Sequence, residues 1–217
     1  MTPSKMIDGP RIAPASGAAP KRIVMLLHGY GSNGADLIGL APYWRAALPD
    51  TLFVAPNAPE PCPGAPGGFQ WWALAGSEPR AAGARRAGPV LDAFIDAELA
   101  KAALTEDALA LVGFSQGTMM ALQVGPRRER TLAGIVGYSG MLADEAALAA
   151  DVRTRPPILL VHGDADPMIP IAAFYQTRDA LGRLGFEVAS HVSPGLPHSI
   201  DNAGLTLGQR FLAKVLG

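Results

Sequence analysis

The chain has 217 residues, 49% hydrophobic and 17% charged, and its 18 Lys and Arg against 19 Asp and Glu leave a net charge of −1. Nothing in that balance steers the chain towards nucleic acid or an anionic membrane. A single cysteine, Cys62, excludes an intrachain disulfide.

The first 20 residues are rich in Pro, Ala and Gly and are expected to form a loosely structured N-terminal segment with a short edge strand near 10–13. Residues 22–27 are a β-branched and aliphatic run, read as a buried strand that ends at His28-Gly29. Residues 35–48 have helical spacing, stopped by Pro49-Asp50, and 51–55 are the next strand. Residues 56–83 are expected to be the longest irregular segment. Connections of that length are usually functional or disordered, and the aromatics Phe69, Trp71 and Trp72 argue for order. Cys62, in Pro61-Cys62-Pro63-Gly64, has no helix start beside it to activate the thiol and reads as structural.

A helix is expected over 84–104, with Pro89 in its first turns, then a strand over 108–114 and a helix from about 118 to 124. The cluster Arg127-Arg128-Glu129-Arg130 reads as a solvated helix end. Strands at 132–138, 158–161 and 186–192 alternate with helices at 145–150, 171–184 and 202–216. This alternation predicts an α/β fold, a mostly parallel sheet covered on both faces, in a single domain over 1–217. The connection 139–156 is too short for a large cap domain, so an open or shallow site is expected.

Chemistry concentrates at the ends of these strands. Gly113-Phe114-Ser115-Gln116-Gly117 sits between a strand and a helix, the context of a nucleophile elbow, in which a strained serine projects from the sheet and flanking glycines avoid collisions. A serine hydroxyl needs a base and a group that orients the base. Of the four histidines, His28 and His162 precede glycines at strand ends and His191 falls within a strand. His198 lies on a late loop, in Gly195-Leu196-Pro197-His198, and is the candidate base. The acid comes from His162-Gly163-Asp164-Ala165-Asp166-Pro167. Asp166 is favoured over Asp164, whose place directly after Gly163 suits it to hold the turn. The oxyanion hole calls for the backbone N–H after the nucleophile, that of Gln116, and one from the glycine-rich loop 28–34. No Lys follows those glycines, so the loop is not a phosphate-binding loop, and no His or Cys cluster supplies a metal site.

Taken together, Leu27-His28-Gly29-Tyr30-Gly31, Pro56-Asn57-Ala58-Pro59, the serine elbow, His162 to Pro167 and Pro197-His198 resemble, in order, the phospholipase/carboxylesterase family of α/β hydrolases, which includes bacterial carboxylesterases and acyl-protein thioesterases. The resemblance runs from about residue 22 to 216. It implies Ser115 as nucleophile, Asp166 as acid, His198 as base, the N–H groups of Tyr30 and Gln116 as oxyanion hole, and no cofactor. It implies hydrolysis of carboxylic or thiol esters through an acyl-enzyme. Tyr30 stands where members often have a small aliphatic residue, and Thr118 where many have glycine. The first is expected to alter the pocket's shape, the second only packing.

The expected substrate is a small-molecule ester of short to medium acyl chain, with Trp71 as a candidate pocket wall. An acyl-protein thioesterase or lysophospholipase would use the same triad, and a non-catalytic binding protein on a hydrolase fold is the rival from another class. No apolar run approaches the ~18 residues of a membrane span and no signal-peptide core is present, so a cytoplasmic monomer or homodimer without stable membrane insertion is expected.

Overall fold

A computed structural model describes residues 7–74 and 78–217. Arg22–Leu27 forms β2, after a two-residue β1 at Arg11–Ile12, and Thr51–Val54 forms β3. Glu60–Pro61 and Phe69–Gln70 form β4 and β5. The remaining strands are β6 (Leu109–Phe114), β7 (Gly134–Tyr138), β8 (Ile158–Gly163) and β9 (Val188–Ser193). The helices are α1 (Gly34–Leu37), α2 (Ala41–Trp44), α3 (Arg80–Ala102), α4 (Gln116–Val124), α5 (Glu145–Asp151), α6 (Ile171–Arg183) and α7 (Asn202–Leu216).

Seven strands make one sheet in the order β1-β3-β2-β6-β7-β8-β9, parallel except for β1, which runs antiparallel along the edge of β3. This is the α/β-hydrolase architecture, and among the described residues no large cap is inserted. Only α5 lies between β7 and β8.

The apolar runs of the central strands serve both faces, as expected of a parallel sheet covered on both sides. In β2, Ile23, Met25 and Leu27 enter the core formed with α3, α4, α5 and α6, while Val24 and Leu26 enter the opposite core with α1, α2 and α7. Among the described residues, no helix is long and apolar enough to cross a membrane.

The chain departs from the sequence expectations at four places. The helix expected over 35–48 is broken into α1, a 3₁₀ turn at Ile38–Leu40 and α2. Pro42 has no N–H to give to the Ile38 carbonyl and stands in the first turn of α2, where that donor is not needed, so the break falls just before it. Helix α3 begins at Arg80 rather than at 84, which places Pro89 in its interior. The segment 56–83 is less irregular than expected, because β4 and β5 pair as an antiparallel ribbon. Arg128 is not solvated. Its buried guanidinium lies 2.5 Å from Asp92, 2.5 Å from Asp96 and 3.3 Å from Glu106, joining the end of α4 to α3.

The N-terminal strand stub is also anchored. Arg11 reaches the buried carboxylate of Glu98 on α3 through two hydrogen bonds, of 3.0 and 2.8 Å. Burial pushes the Glu98 pKa up, but the bonds from Arg11 and Lys101 outweigh it and hold the group below its ordinary value.

Close packing of α4 against β2 yields a stability prediction. A Cβ at Gly117 would lie 1.9 Å from the Leu27 carbonyl oxygen, whereas one at Gly182, in α6, meets nothing within 4 Å. Gly117→Ala is expected to destabilise the fold by more than about 3 kcal/mol, or to leave it unfolded, because backbone must move to admit the methyl group. Gly182→Ala is expected to be neutral or to stabilise by up to about 1 kcal/mol. Urea unfolding of both variants checks the pair.

Candidate active site

The nucleophile elbow is built by steric exclusion. Ser115 follows β6 directly, with φ 55° and ψ −114°, a conformation that L-residues rarely hold. A Cβ at Gly113 would lie 2.3 Å from the Thr118 nitrogen, so both flanking glycines are demanded by backbone close to them. The hydroxyl of Thr118 sits 2.8 Å from the Gly113 carbonyl and 2.9 Å from that of Tyr138. Its side chain fits only because Gly137 and Gly140 carry no Cβ, which would fall 2.6 and 2.3 Å from it.

The acid and the base come from adjacent strand ends. Asp166 lies beyond β8 and His198 between β9 and α7, and Asp166 Oδ2 accepts from His198 Nδ1 at 2.6 Å. The other oxygen of Asp166 accepts the N–H groups of Met168 and Ile169 at 2.8 and 2.9 Å. Burial raises the Asp166 pKa, but the Ile169 N–H, His198 and the Met168 N–H together outweigh it, and the group is held below its ordinary value. It therefore stays a carboxylate at neutral pH. With Nδ1 engaged, Nε2 is the nitrogen of His198 left for chemistry. The Phe114 ring, 5.0 Å away centre to centre, backs the imidazole.

Asp164 takes a different part. Its carboxylate accepts the Gly195 N–H at 2.6 Å and so links the loop after β8 to the loop that carries His198.

The two N–H groups expected of an oxyanion hole belong to Gln116, the residue after the serine, and to Tyr30. Gln116 opens α4, where a helix has no internal acceptor for its N–H. Tyr30 lies in the loop after β2, and neither N–H bonds a backbone carbonyl among the described residues. A Cβ at Gly29 would lie 3.2 Å from Ser115 Cβ, which measures how closely that loop approaches the elbow.

A family model described as phospholipase/carboxylesterase matches residues 9–216. The chain belongs to the phospholipase/carboxylesterase family. Among its relatives, esterase PE8 has a crystal structure that superposes with a TM-score of 0.93 at 42% identity, covering 97% of this chain and 100% of that one. Esterase YpfH of Escherichia coli (strain K12) is 28% identical over 190 residues, covering 85% of this chain and 79% of its own. Acyl-protein thioesterase 1 of Kluyveromyces lactis is 31% identical over 172 residues, covering 72% and 75%. As a member of this family the chain is a serine hydrolase of the carboxylesterase type.

In this family member, Ser115 and His198 line one cavity of about 260 Å³. Its walls are mainly apolar, including Leu37, Phe114, Met119 and Ile169, with Leu74 and Met168 exposed at the rim. A cleft of about 320 Å³ elsewhere, beside Lys21, Arg22 and Asp50, lies at the amino ends of β2 and β3 and holds none of these groups. Among the described residues, no group of three or more His, Cys, Asp or Glu could hold a metal ion.

Trp71 is corrected by the structure. It is fully buried and does not line the cavity; its indole Nε1 donates to the His28 carbonyl at 3.0 Å, pinning the 56–74 segment to the core.

Two histidines passed over in the sequence support the site from beneath. His162 Nε2 lies 2.8 Å from the Ile169 carbonyl and 3.4 Å from Asp166 Oδ2. His28 accepts the Ala58 N–H at Nε2 (2.9 Å) and lies 2.7 Å from the Gly29 carbonyl at Nδ1, so its partners assign the proton to Nδ1. The signal available was their place at the carboxyl ends of β2 and β8, where side chains gather around a site.

Burial holds the His28 pKa below its ordinary value of 6.5, against a smaller opposing effect of the Gly29 carbonyl. The unfolded chain therefore takes up this proton first as pH falls. The stability conferred by the neutral ring is present above the ordinary value and is lost as pH drops through the lowered one. Urea unfolding between about pH 7.5 and about pH 5 should give a falling stability, and His28→Gln should lose less of it over that interval despite a lower starting point.

Proposed function

We propose that the chain is a serine carboxylesterase that hydrolyses short- to medium-chain carboxylic esters through an acyl-enzyme. The observation that carries this reading is Ser115, strained at the top of β6, sharing a cavity with a His198 whose Nδ1 is held by Asp166 at 2.6 Å.

In this reading Ser115 Oγ attacks the ester carbonyl carbon and its proton passes to His198 Nε2. The oxyanion is received by the N–H groups of Tyr30 and Gln116. The tetrahedral intermediate collapses, His198 protonates the departing alcohol, and an acyl group remains on Ser115. A water deprotonated by the same nitrogen attacks the acyl carbon and releases the carboxylic acid and the free serine. Asp166 remains ionised throughout and orients and stabilises the imidazolium, a part its lowered pKa supports. Only a neutral imidazole accepts a proton, so the attack step calls for His198 in that form. The modest volume and apolar lining of the cavity favour short to medium acyl chains. The match of the family model to residues 9–216 supports a single functional domain.

Hydrolysis of p-nitrophenyl esters from acetate upward tests the reading. Wild type is expected to prefer short and medium chains, with Ser115→Ala reduced on the order of 10⁴-fold or more in kcat. A preference for long-chain esters over butyrate would overturn the chain-length assignment, and an inert wild type would favour a binding protein.

The relatives named acyl-protein thioesterase, together with the apolar rim at Leu74 and Met168, keep thioester hydrolysis as a second reading. A thioester and an oxygen ester of the same acyl group, compared by kcat/KM, separate the two.

A further inference from the structure

Polar groups buried without a ligand to serve need an explanation, and one such set runs behind the elbow. The side chain of Gln116 is buried, yet both ends of its carboxamide are used: Oε1 accepts the backbone N–H of Trp71 at 2.9 Å, and Nε2 donates to the Trp72 carbonyl at 2.9 Å. The indole of Trp71 reaches the opposite way, to the His28 carbonyl at 3.0 Å. His28 in turn binds Ala58 and faces the Gly29 carbonyl. Two residues earlier, Phe69 takes the Gly31 N–H at 2.9 Å on its carbonyl and gives its own N–H to the Ser32 carbonyl at 2.7 Å.

The stretch from Phe69 to Trp72 is thus bonded to both parts of the site: the loop after β2, which carries Tyr30, and the first residue of α4, Gln116. We propose that Trp71 and the Gln116 carboxamide are positioning residues that fix the separation of the Tyr30 and Gln116 N–H groups. This rests on the hydrolase reading above.

The chemistry favours hydrogen bonds for such a tie. Apolar packing resists separation but tolerates sliding, whereas each hydrogen bond has a preferred direction, and leaving one of these groups unpaired in the core is costly. Oxyanion donors act by being in place before charge develops, so an error of a fraction of an ångström counts more there than elsewhere. Trp71 does not line the cavity, so it acts through the backbone it holds. The packing behind it is stiff as well, because a Cβ at Gly83 of α3 would lie 2.4 Å from the Trp72 ring.

The test uses the full chain, with Trp71→Phe and Gln116→Met compared with wild type. Active sites are counted by titration with a p-nitrophenyl phosphonate, kcat and KM are measured on p-nitrophenyl butyrate, and affinity is measured for a trifluoromethyl ketone whose adduct carries an oxyanion. The expected result is a fall in kcat per titrated site of about 10- to 100-fold, KM within about twofold, and ketone affinity reduced by a factor similar to that of kcat. Trp71→Phe keeps a buried aromatic ring at the position while removing the indole N–H, so it decides the matter where Gln116→Met does not fold. Wild-type kcat per titrated site in Trp71→Phe, or a kcat loss with ketone affinity unchanged, overturns the proposal while leaving the esterase reading intact. A wild type that neither titrates nor turns over ester overturns both.

Discussion

The approach of α4 to the end of β2 is the constraint on which the site depends. With only hydrogen at Gly117, the first turn of the helix settles against the Leu27 carbonyl, closer than any side chain would allow. That contact forces the chain to reverse within the residues between β6 and α4, and Ser115 takes up the resulting strain. A residue in such a conformation costs about 1–3 kcal/mol, a sizeable share of the roughly 5–15 kcal/mol that holds a domain together. The surrounding sheet over-determines it. The Ser115 N–H bonds the Tyr138 carbonyl at 2.9 Å, so the elbow is stitched to β7 as well as wedged against β2.

From this point outward the site is held by buried polar groups with assigned partners. Asp166 has an acceptor role on both oxygens, and the convergence of two backbone N–H groups and one imidazole holds a buried carboxylate below its ordinary pKa where burial alone would raise it. The bond from Gly195 to Asp164 ties together the loops bearing Asp166 and His198, so these two side chains are positioned as a pair. In the proposed reaction, little reorganisation is then required when a proton arrives on the imidazole.

Much of the fold was legible because the central strands read as uninterrupted aliphatic runs and the helices as periodic ones; β2 and α7 fall where their patterns place them. The legible part of the site follows from the same logic. Ser115, Asp166 and His198 have the residue types that ester chemistry requires and follow the carboxyl ends of β6, β8 and β9, which a parallel sheet gathers at one edge. What was not legible depended on contacts between distant residues. Pro42 was visible, but the spacing around it still read as helix. Arg128 looked like part of a solvated cluster, because its partners Asp92 and Asp96 lie on α3 and Glu106 in the 3₁₀ turn that follows it. Trp71 was recognisable as important in a polar loop, but whether an indole faces a cavity or a carbonyl is decided by the loop's path. Gln116 and Trp71 are 45 residues apart, and nothing local to either announces the bond.

The short β1 strand has a meaning for the boundaries of the fold. It covers the edge of β3 with two paired residues, and through Arg11 it also supplies the main countercharge to a carboxylate buried in α3. Truncation past this strand would remove few contacts by count, yet it would bare a row of unpaired backbone groups on β3 and leave Glu98 with Lys101 alone. Residues 7–12 therefore behave as an integral part of the folded body, and deleting β1 would invite edge-to-edge association of the sheet rather than merely shorten the chain.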